Sequence, residues 1–140
     1  MLLGQIEAPW LILHDAVHPF VTPELTRAVL DAARQDGAAI ASVPVARFFY
    51  DTEGRLRAAP NEVLQTQKPM AFQREGLARG FELLDAGQAL EPTHERGALE
   101  LLAMAGVRPR FVRGQARNIK ITPLEDLELA RALLGRDRPP

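Results

Sequence analysis

The sequence predicts an α/β domain, and three observations carry that prediction. Two short runs, PWLILHD and AAIASVPV, are almost continuously apolar, as strands buried on both faces are. Between them, TPELTRAVLDAARQDG carries an apolar stripe at helical spacing: Leu25, Val29, Leu30 and Ala33. Strand, helix, strand in that order is a βαβ unit, for which a right-handed crossover and a parallel pair of strands are expected.

The helix has punctuation at both ends. Thr22 suits the N-cap, Pro23 the first helical position and Glu24 the first turn, and Gly37 closes it. ARFFYDTEGRLRAAPN follows, with a turn expected at Asp51–Gly54 between short, partly alternating flanks. It reads as a hairpin arm projecting over about residues 46–61, with Phe48, Phe49 and Tyr50 side by side on it. Clustered aromatics on an arm without a core of its own suit packing on a partner. EVLQTQKPMAF returns as a strand ended by Pro69, and QREGLARGFELLDAG reads as a helix with Leu77, Phe81, Leu83 and Leu84 on one side. THERGALELLAMAG is a further helix, capped by Thr93 and stopped by Gly106. RPRFVRG and RNIKI read as short strands. TPLEDLELARALLG closes the chain as a helix with Thr122 as N-cap, Pro123 first, and Glu125 and Asp126 complementing the helix dipole. With no repeat and no low-complexity linker, residues 1–140 are expected to form one domain.

Composition narrows the chemistry. There is no cysteine, which excludes thiolate catalysis, disulfides and cysteine-ligated metals, and which suits a reducing cytoplasm. The formal net charge of −1 gives no bulk attraction to nucleic acid or to an anionic membrane. No apolar run reaches the roughly 18–20 residues of a membrane span. The opening MLLGQIEAPW has no basic segment ahead of an apolar one, so no secretory signal is expected.

Two stretches could carry chemistry. In LILHDAVHPF an aliphatic strand runs into His14 and Asp15, and His18 follows. His14 and His18 have the spacing of a helical metal-binding pair, but strand-like residues precede them and Pro19 follows. A His-held metal is therefore disfavoured. Asp15 is the first acid after a buried strand, where ligands of open α/β sheets bind. Position alone leaves two roles open for it: taking sugar hydroxyls or a phosphate-bridging magnesium ion, or capping a turn. In RGQARNIKITPLEDLELA, Lys120 precedes a capped helix, and Ile119 and Ile121 point away from it, so Lys120 and Asn118 share a side. An ammonium beside the free N–H groups of a helix start suits phosphate. A solvated edge lysine is the other reading, and the arginines from Arg108 to Arg117 either extend such a patch or form a solvated face.

Taken together, HDAVHPFVTPELTRAVLDAARQDGAAIASVPV, LQTQKPMAF and GQARNIKITPLEDLELARALL resemble the C-terminal part of the 2-C-methyl-D-erythritol 4-phosphate cytidylyltransferase family of the non-mevalonate isoprenoid pathway. The likeness runs from about Leu11 to Leu134, and the ribitol-5-phosphate cytidylyltransferases are also similar. HDA after a strand, with NIKIT before EDLELA at this separation, is the specific signal. The resemblance implies a Rossmann-like nucleotidyltransferase fold with a mostly parallel sheet, homodimeric through a projecting β-arm. It also implies attack by a polyol phosphate on the α-phosphate of CTP, with Mg2+ as cofactor and pyrophosphate released. It would place Asp15 and Ala16 against ribose, metal and acceptor. Thr93 would lie on the acceptor side, and Lys120 would hold the acceptor's phosphate as the catalytic residue.

The departures from the family pattern matter as much. His18 stands where the motif has Arg, which removes a permanent charge and a bidentate donor. Arg47, Phe48, Phe49 and Tyr50 replace an Asp-Thr-aliphatic-Lys run, and Lys68 and Met70 replace the Thr and second Gln of a Gln-Thr-Pro-Gln run. His18 and Lys68 are counted with the substrate-binding candidates, Lys68 as a compensating charge. The family's acceptor-orienting Arg has no counterpart by ungapped counting, which lands on Pro60. The glycine-rich loop with its Arg and Lys that precedes the first matched strand in the family has no match before Trp10. An N-terminal part is therefore expected to be missing, WLILHD to lie at an open sheet edge, and activity of the chain alone to be weak or absent. The alternative is a catalytically degenerate relative that binds or assembles.

Overall fold

A computed structural model describes residues 2–88 and 97–135. Ten elements follow a 3-10 turn at Leu2–Gln5: β1 Trp10–Leu13, α1 Pro23–Asp36, β2 Ala38–Pro44, β3 Phe49–Tyr50, β4 Leu56–Ala58, β5 Leu64–Gln73, α2 Arg74–Asp85, α3 Ala98–Met104, β6 Arg110–Arg113 and α4 Leu124–Gly135.

The main sheet has the order β1-β5-β2-β6. β5 is antiparallel to both β1 and β2, and β6 is parallel to β2. Three strands thus run one way and β5 alone runs against them, so the α/β sheet is mixed, with one parallel and two antiparallel neighbouring pairs. The expected direct pairing of β1 with β2 does not occur, because β5 inserts between them.

β2 is buried on both faces, as its composition predicts. Ala39 and Ala41, with Ala71 of β5, meet Leu25, Val29 and Ala33 of α1. Ala38 and Ile40, with Met70 and Phe72, meet Leu77 of α2 and Leu101 and Leu102 of α3. Helices therefore cover both faces, and alternation along each strand divides its side chains between two cores. On the second face α2 and α3 come close at Gly80, where a Cβ would overlap the Leu101 carbonyl.

α1 is built as its sequence predicts. Thr22 Oγ1 accepts from Leu25 N at 3.2 Å, and Gly37 closes the helix in the left-handed region at φ 85°. β1 is less buried than its aliphatic run suggests: Ile12 and Leu13 are 44% and 39% exposed. It lies at the sheet edge, and its outer side pairs with no strand among the described residues.

Three expected boundaries are corrected. Pro69 does not end a strand. β5 runs through it, because Gln67, Lys68 and Pro69 face only Ala41 across a register shift, so the proline without an N–H sits outside the ladder; the Lys68–Pro69 peptide is cis. RNIKI is not a strand, since side-chain bonds take its polar groups instead of a ladder. The last helix begins at Leu124, and Thr122 gives its N–H to Asp126 Oδ2 at 2.9 Å. The preceding helix, α3, starts at Ala98 with Gly97 as its N-cap residue; Thr93 lies outside the described residues.

The arm is a two-stranded sheet of β3 and β4 separate from the main one. Asp51 Oδ1 ties its turn by accepting from Glu53 N at 3.0 Å and Arg55 N at 2.9 Å, and Gly54 takes φ 80°.

Candidate functional site

β1, β2 and β6 share a direction, so all three end on the same edge of the sheet. The loops that leave them, from His14, Val45 and Gly114, meet there, as ligand-binding loops of open α/β sheets do. Between them lies a groove of about 1030 Å3, whose walls include His18, Arg47, Gln67, Asn118, Lys120 and Asp126.

The first loop turns immediately after β1. His18 N donates to the Asp15 carbonyl at 3.0 Å, so the main chain of Asp15 serves a turn while its side chain remains 40% accessible. Ala16 beside it is exposed. His18 is 5% exposed, and its Nδ1 lies 4.0 Å from Asp15 Oδ2 and has no hydrogen-bond partner. Burial lowers the His18 pKa below its usual value. The Asp15 carboxylate opposes this, while His14, Lys120 and Lys68 add to it.

The segment after β6 reaches the same place. Asn118 is fully buried and turns its side-chain amide onto the Lys68 carbonyl at 2.6 Å. Ile121 N donates to the Val17 carbonyl at 2.8 Å, which joins this segment to the histidine loop. Lys120 lies between those two attachments, exposed on the groove wall. Lys68, half-buried on β5, is not among the groove-lining residues, yet its charge reaches His18. The register supports that proximity. Leu13 pairs with Met70 in an antiparallel ladder, so Asp15, two residues after Leu13, and Lys68, two before Met70, come to the same level.

The fold thus brings Asp15, Ala16, His18, Lys68 and Lys120 to one sheet edge, although of these only His18 and Lys120 line the groove. Gln67 and Gln115 were not singled out for a role by their pattern, although both hold this site together. Gln67 stands in a polar run with Gln65, Thr66 and Lys68, so nothing in the pattern distinguishes it; its burial, which demands hydrogen-bond partners, is visible only in the fold.

Among the described residues no group of three or more His, Cys, Asp or Glu side chains could hold a metal ion. The His14 and His18 rings are 6.5 Å apart and tilted by 58°, and His18 Nδ1 lies 4.0 Å from Asp15 Oδ2. Asp15, with a side chain 40% accessible, is a carboxylate of the kind that could hold magnesium, which keeps several waters and takes its other ligands from phosphates.

A family model described as 2-C-methyl-D-erythritol 4-phosphate cytidylyltransferase matches residues 3–136. A protein of that name from Deinococcus radiodurans is 40% identical over 137 residues, covering 96% of this chain and 57% of the relative. One from Paraburkholderia phymatum is 36% identical, covering 95% of this chain and 58% of its own length. The crystal structure of 2-C-methyl-D-erythritol 4-phosphate cytidylyltransferase from Thermus thermophilus superposes with a TM-score of 0.81 at 29% identity, over 96% of this chain and 66% of that one. The chain therefore spans little more than half the length of the curated relatives it matches.

Proposed function

This chain belongs to the 2-C-methyl-D-erythritol 4-phosphate cytidylyltransferase family, and on that premise we propose that it supplies the acceptor-binding and dimer-forming part of a cytidylyltransferase. The reaction is transfer of CMP from CTP to 2-C-methyl-D-erythritol 4-phosphate, a step toward isoprenoid precursors by the non-mevalonate route. An oxygen of the acceptor's phosphate attacks the α-phosphorus of CTP, the bond to the bridging oxygen breaks, and pyrophosphate leaves. Such a displacement depends on alignment and on charge neutralisation.

The convergence of one carboxylate and two lysines around buried His18 at a single sheet edge supports this reading. Lys120 is the catalytic candidate, holding the acceptor's phosphate in line from the groove wall. Lys68 adds a second positive charge beside it. Asp15, with the backbone of Ala16, faces ribose and acceptor hydroxyls. His18 shapes the wall between them as a neutral imidazole, and Thr93 stays an acceptor-side candidate from its motif. Magnesium, held by Asp15 together with the substrates' phosphates, would neutralise charge developing on the departing pyrophosphate.

The chain spans little more than half the length of its curated relatives, and weak or no turnover by this segment on its own is part of the proposal. A pyrophosphate-release assay with CTP, Mg2+ and methylerythritol phosphate tests this, and rapid turnover by the chain alone would overturn it. Among the described residues no helix is long and apolar enough to cross a membrane.

A second reading, a degenerate relative that serves assembly, is favoured by the arm. Phe48, Phe49, Tyr50 and Leu56 are 60%, 44%, 61% and 52% exposed on it. The same exposure supports a homodimer made through the arm, so the two readings part on acceptor binding. Calorimetric titration with methylerythritol phosphate separates them.

A further inference from the structure

We infer that Gln67 is a positioning residue for the segment that carries Lys120, and that position 114 is glycine because the Gln67 amide occupies the space a side chain would need. The functional weight of this rests on Lys120 meeting the acceptor's phosphate, as proposed above.

Gln67 is only 6% exposed, and its amide spends all its bonds on one turn. Its Nε2 donates to the Gln115 carbonyl at 2.9 Å and to the Asn118 carbonyl at 3.0 Å, and its Oε1 accepts from Gln115 N at 3.2 Å. Both ends of the turn, closed by Asn118 N onto the Gln115 carbonyl at 2.9 Å, are thus held by one side chain. Lys120 begins two residues beyond that clasp, and the next attachment is Ile121 N on the Val17 carbonyl. The lysine is suspended between these two anchors.

Gly114 completes the device. Its N–H continues the β2–β6 ladder by donating to the Ser42 carbonyl at 2.7 Å. A Cβ at that position would overlap Gln67 Oε1 and come within 3.1 Å of the Ser42 oxygen. Neither Gln67 nor Gly114 belongs to the two apolar cores, so damage to the clasp should loosen residues 114–121 and leave the central sheet intact.

The test compares the full chain with Gln67→Leu, Gly114→Ala, Gln67→Ser and the double variant Gly114→Ala/Gln67→Ser by hydrogen exchange read by mass spectrometry. Exchange in peptides covering 114–121 should quicken at least tenfold in Gln67→Leu and Gly114→Ala, with peptides of β2 and α1 unchanged. Because a shortened residue 67 makes room for the methyl group, the double variant should exchange no faster than Gln67→Ser. Unchanged exchange at 114–121 in both Gln67→Leu and Gly114→Ala overturns the inference. So does a double variant whose effects simply add. Should Gln67→Leu fail to fold, Gly114→Ala and the double variant decide the matter. Affinity for methylerythritol phosphate, by calorimetry, should drop about tenfold in the variants with the loosened segment. A wild-type chain that binds none of it defeats the acceptor reading, while the exchange result still decides the clasp.

Discussion

The side-chain amide of Asn118 donates to the main-chain carbonyl of Lys68 across 2.6 Å, so the segment bearing one lysine is fastened directly beneath the other. Asn118 is fully buried, and its truncation removes the side-chain donor from that carbonyl. Asn118→Ala should therefore lower stability by about 1–3 kcal/mol, the usual cost of a buried unsatisfied group. Urea unfolding followed by fluorescence of Trp10 measures it. A change under about 0.5 kcal/mol would show that water replaces the amide there.

The charge of each lysine should be visible in the titration of His18. Both lower its pKa, and Asp15 raises it. Lys68→Ala and Lys120→Ala should each move the imidazole resonance midpoint upward, and Asp15→Asn should move it down. In the same variants, loss of a charge-assisted bond to a phosphate removes about 1.5–3 kcal/mol, so each lysine substitution should weaken methylerythritol phosphate binding about 10- to 150-fold. A Lys68→Ala variant that leaves both the midpoint and the affinity unmoved would remove Lys68 from the site.

His18 also sets a pH dependence of stability. Burial holds its folded pKa below the ordinary 6.5, so the unfolded chain binds a proton more readily than the folded one. Stability contributed by the neutral imidazole is complete above the unfolded value. It is lost progressively as pH falls from 6.5 through the folded pKa. The midpoint of chemical unfolding should decline over that window, and His18→Gln should flatten this part of the profile. A profile equally steep in the variant would assign the decline to carboxylates instead.

What the sequence disclosed tracks the range over which each feature is determined. α1 was legible because its signals are local: Thr22 caps, Pro23 opens, Gly37 turns left-handed. The arm was legible for the same reason, as Asp51 and Gly54 lie within one turn. β2 was legible because Ala38–Ala41 are apolar without interruption, which only a strand covered on both faces requires. The place of β5 was not, since pairing between β1 and β2 is decided by a segment far along the chain. Pro69 misled because its missing N–H breaks a ladder only where a ladder exists, and the bulge there removes it. In the site, Asp15 and Lys120 stand where strand and helix boundaries place them. The Gln67 bonds to residues 48 and 51 positions away follow no spacing rule.

The arm carries the last expectation. Phe48 and Tyr50 are 60% and 61% exposed and make no part of either core, so Phe48→Ser/Tyr50→Ser should leave monomer stability within about 0.5 kcal/mol of the parent. If a second copy covers these rings, each contributes about 1.5–3 kcal/mol of apolar burial to the dimer. Losing both should weaken dimerisation by at least about tenfold even after allowing for incomplete burial. Light scattering across micromolar concentrations shows the shift as a fall in mean mass toward that of one chain. Leu56, also exposed on the arm, serves as a neighbour whose replacement by Ser should act in the same direction if the whole hairpin docks. A parent chain that is already monomeric at those concentrations would leave the aromatics without a second copy to meet, and arm-mediated assembly would have to be abandoned.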